Sequence, residues 1–367
     1  MANFNGSRFL NQTIESVLSQ TYINWELIIV DDCSTDNSRE IIESYKDDRI
    51  EKLYLDHHEH MVYGFNLAIS RSNGNYIARI DSDDTWKPEK LQKQINYMEM
   101  YPECGACFSL VNIVDENDNV LTEKETERVR WFTTDNRSQA QWLRQFFFNG
   151  SCLCHTSVLM KRGIIHTVGL YNYSLVQIQD FDLWVRIAKK YPIYVIQEVL
   201  VNYRWIISGG NASAPSLTVN RRSNYEFSYV LSRYFDDIPD EMLIEAFGGD
   251  FIRKGTTNHD ELLCERAFLL LRGVFCGHIA KVAAMAMLVD ILQDDGTREI
   301  LRDKYHFTQL NFYELSASPI FYEEIATSAP AQKGSFFAWS KTILKKNQKL
   351  YELLQRIRRL VRNNNLF

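Results

Sequence analysis

Two apolar runs near the start of the chain end abruptly in carboxylates, and this constrains the fold more than any other feature. Trp25-Glu-Leu-Ile-Ile-Val30 runs into Asp31-Asp32, and Tyr76-Ile-Ala-Arg-Ile80 runs into Asp81-Ser-Asp-Asp84. Short apolar runs bounded by turn residues suit strands buried on both faces of a parallel sheet. Between them the apolar spacing is helical: residues 6–20, a segment to about residue 45 capped by Ser34, Thr35 or Asp36, residues 60–72, and residues 88–100 with Leu91, Ile95 and Met98 on one side. Further strands are expected at 50–55 and 104–114. Alternation of this kind predicts a doubly wound α/β sheet. Residues 1–5 read as the exit of a first strand whose body lies upstream of Met1 or has been truncated.

The carboxylates carry the first chemical hint. Asp81, Asp83 and Asp84 sit within four residues and repel one another. Water, a cation or a phosphate-bound metal would neutralise them. A solvated turn capping the helix near Pro88 is the plainer alternative. Ligands of open α/β sheets bind at the carboxyl ends of strands, so two strands finishing in carboxylates would converge on one crevice.

Further along, residues 138–148 predict an amphipathic helix, 151–160 a strand, 180–191 a helix and 194–203 a strand pair or one kinked strand. The charged patch at 123–130 reads as a loop or hairpin. Beyond residue 216 the pattern is helical only, which places a domain boundary there: residues 1–215, a helical region 216–340, and a tail 341–367. The tail holds eight Lys or Arg against one acid, Glu352, so it carries +7 where the whole 367-residue chain is −6. Its apolar residues Leu350, Leu353, Leu354, Ile357, Leu360 and Val361 recur at helical spacing. A basic amphipathic helix suits an anionic membrane surface, with packing on its own domain as the alternative.

The acidic balance argues against nucleic-acid binding. Seven cysteines without a pairing pattern point to a reducing compartment. No apolar run approaches the ~18–20 residues of a membrane span. The expected location is therefore cytoplasmic, with any membrane contact peripheral at the inner face. His57-His58-Glu59-His60 lacks fixed ligand spacing and reads as a polar loop rather than a metal site.

In order along the chain, Asn5-Gly-Ser-Arg-Phe-Leu10, Ser16-Val-Leu-Ser-Gln-Thr-Tyr22, Glu26-Leu-Ile-Ile-Val-Asp-Asp-Cys-Ser-Thr-Asp36, Gly74-Asn-Tyr-Ile-Ala-Arg-Ile-Asp-Ser-Asp-Asp84 and Trp86-Lys-Pro-Glu-Lys-Leu91 resemble the inverting family 2 glycosyltransferases of GT-A fold. The resemblance covers roughly residues 1–205. It implies a Rossmann-like, mostly parallel sheet flanked by helices. It also implies transfer of a sugar from a nucleotide sugar, with a UDP-sugar as the expected donor, to a hydroxyl of a glycan or lipid-linked acceptor in cell-surface polysaccharide synthesis. Mn²⁺ or Mg²⁺ is the implied cofactor. Asp32 would contact the base, with Asn3 and Phe4 lining its pocket. Asp81 would face ribose or sugar and share the metal with Asp83, while Asp84 supports the loop. Asp180, in Gln179-Asp-Phe-Asp-Leu-Trp184, falls on the family's catalytic base, although Gln179 replaces the usual Glu. Arg204, in Tyr203-Arg-Trp205, would close over the diphosphate or pair with a surface acid. Arg79 reads as a salt-bridge partner first and a phosphate contact second.

Two rival functions fit parts of the sequence. Asp81-Ser-Asp-Asp-Thr85 after an apolar strand matches the nucleophile motif of a haloacid-dehalogenase-type phosphatase, but that fold carries the motif on its first strand. A non-catalytic nucleotide-sugar-binding protein would explain an incomplete first strand, but not the joint presence of Asp32, Asp81, Asp83 and Asp180.

Overall fold

The computed structural model describes residues 1–206, 211, 214, 216–272 and 277–317. The expected tail helix at 341–367 lies outside these residues. The chain divides into two compact units: Met1–Leu143 with Ser151–Asn220, and Arg144–Gly150 with the chain from Arg221 onward.

The first unit is a mixed α/β fold. β1 (Ala2–Asn3), β2 (Leu27–Asp31) and β3 (Ile50–Tyr54) form a parallel sheet in the order β1-β2-β3. A second sheet has the order β4-β7-β6-β8-β5, from β4 (Tyr76–Ala78), β5 (Thr85–Trp86), β6 (Ala106–Val114), β7 (Leu159–Lys161) and β8 (Ile193–Arg204). Only β6 and β8 are parallel in it. The sheet expected to be continuous is thus two, because the run at 76–80 pairs for three residues only, antiparallel to β7. β8 is one strand with register shifts opposite Ser109–Val111, the kinked form of the two expected. Residues 1–5, expected as a strand exit, place Ala2 and Asn3 in register with Val30 and Asp31.

Helices α1 (Ser7–Leu18), α2 (Ser38–Ser44), α3 (Met61–Arg71) and α4 (Lys90–Met100) flank these sheets. α1 is amphipathic and buries Leu10, Ile14 and Val17 against Ile29, Ile80 and Leu91 in one core cluster. Full burial of each such side chain contributes about 1.5–3 kcal/mol. α3 lies close on β1 because a Cβ at Gly64 would come within 2.9 Å of the Ala2 Cβ. Later in the unit come the short helices α5 (Arg128–Trp131) and α7 (Ile165–Val168), and α8 (Gln179–Ala188); α6 (Gln139–Asn149) runs across the division between the units. The patch at 123–130, expected as a loop or hairpin, ends in α5.

The second unit is helical, with α9 (Leu217–Ser232), α10 (Asp240–Phe247), α11 (His259–Leu271), α12 (Gly277–Gln293), α13 (Asp295–Tyr305) and α14 (Gln309–Ser316). Its core includes Phe147 edge-on to Tyr234 and Phe247. Among the described residues no helix is long and apolar enough to cross a membrane.

Candidate active site

The parallel strands β1 and β2 end side by side, and their exits form one lip of the candidate site. Asp31 is fully buried and organises the loop beyond: it accepts from Asn3 Nδ2 at 2.9 Å, the Ser34 N–H at 3.1 Å and Arg39 Nε at 2.9 Å. Asn3, expected to line a base pocket, is instead a buried bracket, with its amide turned to Asp31 and to Ser34 Oγ at 3.2 Å. Position on the strand placed it correctly, but the inward phase of the pleat directs its side chain under the loop. Phe4, one residue on, faces outward and is 47% exposed.

Asp32 is only 2% exposed. Its Oδ1 accepts the Glu59 N–H at 2.7 Å, and Oδ2 lies 3.0 Å from His58 Nδ1. The His58 ring packs against Phe4 with centroids 4.2 Å apart and planes tilted by 34°. The sequence reading treated this histidine run as a plain polar loop; its second member is part of the lip. Asn5, Cys33 and His60 around it all have positive φ, of 51°, 62° and 74°. Non-glycine residues in such conformations cost about 1–3 kcal/mol each and gather at functional sites.

The acidic loop is pressed against this lip. A Cβ on Gly6 would overlap Asn3 Oδ1 and stand 2.8 Å from Ser82 Oγ, so only glycine lets the β1 exit touch residues 81–84. Arg204, expected either to close over the diphosphate or to pair with a surface acid, pairs with the half-exposed Asp118 and braces the loop. It is 1% exposed; Nε donates to the Asp83 carbonyl, Nη1 to the Asp115 carbonyl, and Nη2 to Gln12 and Asp118 at 2.6–2.8 Å. With its donors directed at protein oxygens, this guanidinium is a staple rather than a phosphate clamp. Asp84 is likewise structural: Oδ1 accepts the Arg204 N–H at 2.7 Å and its carbonyl accepts Thr13 Oγ1 at 2.8 Å.

Asp81 pairs with Arg79, as expected, and remains partly exposed. Burial, then the neighbouring Asp81 charge, pushes Asp83 up to about 7. Asp84 is raised as well, by burial and by Asp83. Among the described residues no three His, Cys, Asp or Glu side chains are grouped to hold a metal. Asp81 and Asp83 would supply two carboxylates, and Mg²⁺-like ions commonly take one or two carboxylates plus substrate phosphates. The crowding that raises Asp83 is what a divalent cation would relieve, so these residues fit one.

Asp180 lies in the first turn of α8. It is half-buried, and burial pushes its carboxyl up to about 6 against the Phe181 N–H at 2.8 Å and the Arg79 charge. Asp81 raises it further, which puts Asp180 within electrostatic reach of the acidic loop. Asp182 points elsewhere and pairs with Arg186 at 2.6 Å. Arg79 lies between these groups, buried on the Phe65 ring at 4.3 Å, with Nε and Nη1 lacking hydrogen-bond partners.

Sequence reasoning missed one cluster here. His155 Nε2 meets the Tyr171 hydroxyl at 2.8 Å and stands edge-on to Phe65 and Trp184. Burial, then Arg79, holds His155 neutral. Asn66 brackets Tyr171, donating to its carbonyl at 2.9 Å and accepting its N–H at 3.1 Å. No local motif announces these contacts, which join segments far apart in the chain.

Comparison with known proteins decides the family. The family model described as glycosyl transferase family 2 matches residues 1–168. An uncharacterized glycosyltransferase of Methanocaldococcus jannaschii is 33% identical over 211 residues, covering 56% of this chain and 69% of that protein. The chain belongs to glycosyl transferase family 2. This family 2 glycosyltransferase is also 27% identical over 221 residues to the Escherichia coli UDP-Glc:α-D-GlcNAc-diphosphoundecaprenol β-1,3-glucosyltransferase WfgD, covering 60% of this chain and 79% of WfgD. A crystal structure of S. aureus TarS 1-349 with UDP-GlcNAc shares the fold at a TM-score of 0.53, with 12% identity over 86% of this chain and 87% of that one. The phosphatase and non-catalytic readings end here: the glycosyltransferase carries its acidic loop after the fourth strand, not the first.

Proposed function

We propose that this glycosyltransferase is metal-dependent and inverting, and that it moves a sugar from a UDP-sugar to a hydroxyl of a glycan or lipid-linked acceptor in cell-surface polysaccharide synthesis. The observation that carries the reading is the place of Asp180 in the first turn of α8, near enough to Arg79 and Asp81 that both charges act on its carboxyl. Raised to about 6, that carboxyl is mostly ionised at neutral pH and still takes a proton readily.

The reading assigns the roles as follows. Asp32 receives the base N–H, with Phe4 beside it. Asp81 faces the donor, and Asp83 with Asp81 holds Mn²⁺ or Mg²⁺. The bound ion supplies Lewis-acid stabilisation of the departing diphosphate. Asp180 takes the acceptor's proton as its oxygen attacks the anomeric carbon from the face opposite the leaving group. UDP-Glc and a diphosphoundecaprenol-linked acceptor in WfgD's name, and the UDP-GlcNAc in the TarS complex, support the donor and acceptor classes. Residues 1–215 form the catalytic domain in this reading, 216–340 a helical appendage, and the basic tail 341–367 carries the enzyme to the anionic inner face of the membrane.

The test is a melting-temperature screen of nucleoside diphosphates with and without Mn²⁺. UDP is expected to shift the transition upward only when the metal is present. A metal-independent shift, or a preference for another nucleotide, would overturn that part of the reading.

A further inference from the structure

Arg128, the first residue of α5, carries a half-buried guanidinium without a counter-ion among the described residues. Its Cζ lies 3.7 Å from the centroid of the Trp205 ring and 5.2 Å from that of Trp131. A carbon this close to the Trp205 indole leaves no room for an N–H between them, so the five donors of the guanidinium point away from that face. Among the described residues no acceptor meets these donors, and none of the nitrogens is sealed from solvent. The neighbouring Arg130, by contrast, pairs with Glu123 at 2.7 Å. Burial pulls the Arg128 pKa down, and it is opposed by Tyr203 and Cys154, which are neutral at pH 7 and offer no counter-charge.

The cation is held beside the acidic loop. Phe132, just past α5, packs edge-on to Tyr203 with centroids 5.6 Å apart. Trp205 donates its backbone N–H to the Val114 carbonyl at 2.8 Å. Arg204, between these two, gives its own N–H to Asp84 at 2.7 Å. Both ends of α5 are thus fastened to the exit of β8, the strand end that also braces residues 81–84. The Tyr203 hydroxyl is influenced by Arg128, Asp84 and Asp83 alike, which puts the cation and the acidic loop in one neighbourhood.

We propose that Arg128, seated on Trp131 and Trp205, is a binding site for a phosphate group of one of the enzyme's substrates. Aromatic faces attract the cation but accept none of its in-plane hydrogen bonds. A clip that merely joined α5 to β8 would need those faces alone and gives no reason for an open donor edge. A guanidinium fork matches two oxygens of a phosphate, and such charge-assisted pairs are the strong ones. Because the indoles fix the fork, less freedom is lost when an anion arrives than at a free surface arginine. A carboxylate would fit the same fork. The choice of phosphate rests on the glycosyl-transfer reading, in which a nucleotide sugar and a lipid-linked acceptor both bring phosphate to the acidic loop.

The test follows the indole N–H signals of the full chain by NMR, with Trp131→Phe and Trp205→Phe identifying two of the seven. Sodium pyrophosphate, titrated with a chelator present, should shift both signals saturably and leave the other indoles in place. Arg128→Met should abolish the shift, and Arg128→Lys should weaken binding by about threefold; the unmoved indoles and melting curves establish that the variants are folded. UDP with Mn²⁺, and farnesyl diphosphate as a soluble polyprenyl diphosphate, are then titrated separately. A shift with the first puts the donor's phosphates on Arg128, and a shift with the second the acceptor's. No shift with pyrophosphate, an equal shift in Arg128→Met, or a response to pyrophosphate and to neither of the other two (an adventitious ion only) would each overturn the proposal. If UDP fails to bind while pyrophosphate and farnesyl diphosphate move both signals, the metal-dependent donor reading fails and the phosphate site stands. If UDP binds and pyrophosphate moves neither signal, the reverse holds.

Discussion

His58 Nδ1 lies 3.0 Å from Oδ2 of Asp32, and the His58 ring packs against Phe4. The Glu59 N–H takes the other oxygen, Oδ1, while Oδ2 is buried with no hydrogen-bond partner among the described residues and has this imidazole beside it. A nucleobase that is to donate to Asp32 must compete with the imidazole. A contact between a carboxylate and a half-exposed side chain is worth about 1 kcal/mol at most. His58→Ala should thus tighten UDP binding by up to about fivefold, measured by titration calorimetry in the presence of Mn²⁺. Weaker binding by the variant would show that His58 is a wall of the pocket and not a competitor.

Arg204 is expected to matter for stability before it matters for affinity. Its guanidinium serves the Asp83 and Asp115 carbonyls, Gln12 and Asp118, and its charge is compensated at 2.6 Å by Asp118. Removing the guanidinium strands the Asp83 and Asp115 carbonyls, each unsatisfied buried acceptor costing about 1–3 kcal/mol, and a lysine cannot reproduce the fork. Arg204→Lys and Arg204→Ala should both lower the melting temperature by at least about 6 °C, given roughly 2–4 °C per kcal/mol for a unit of this size. A variant that melts like the wild type but loses UDP affinity would return Arg204 to the donor site.

Asp180 predicts opposite effects on stability and on chemistry. Its folded pKa of about 6 exceeds the ordinary carboxylate value of 3.8. Between those two values the folded protein holds a proton that the unfolded chain has released. Stability therefore falls as pH rises through this window, and the cost is fully present above about 6. Because the side chain is only half-buried, that cost is about 1–2 kcal/mol. Asp180→Asn should melt higher than the wild type at pH 7.5, with the difference vanishing near the acid end of about pH 4. The same variant should lose about 10²–10⁴-fold in transfer rate. Wild-type transfer should rise with pH through about 6 and then level off. Retained transfer by Asp180→Asn would remove it as the base.

Much of this architecture was legible because it is written in contiguous residues. The apolar runs ending at Asp32 and at Asp81 announce buried strands with polar exits, and the acidic loop follows directly. Side-chain direction is a different matter. Asn3 and Arg204 stand where their motifs place them, yet both turn into the protein, because a letter in a motif does not say which side of the pleat it faces. His155, Tyr171 and Phe65 were not legible at all. They come from α3, a 3₁₀ turn and the loop before α8, and only the packed fold brings them around Arg79. His58 was visible as part of a polar loop, but nothing local tells that this loop folds back onto Asp32.

The central claim is that the two acidic strand ends make one metal-dependent donor site. The most direct measurement is release of UDP from a UDP-sugar by the full chain with Mn²⁺, comparing wild type with Asp83→Ala. The account predicts turnover that is abolished by chelation and reduced at least a hundredfold by the substitution, with the melting temperature unchanged or raised because Asp83 is held above its ordinary pKa. Undiminished, chelator-resistant turnover by a folded Asp83→Ala variant would contradict it.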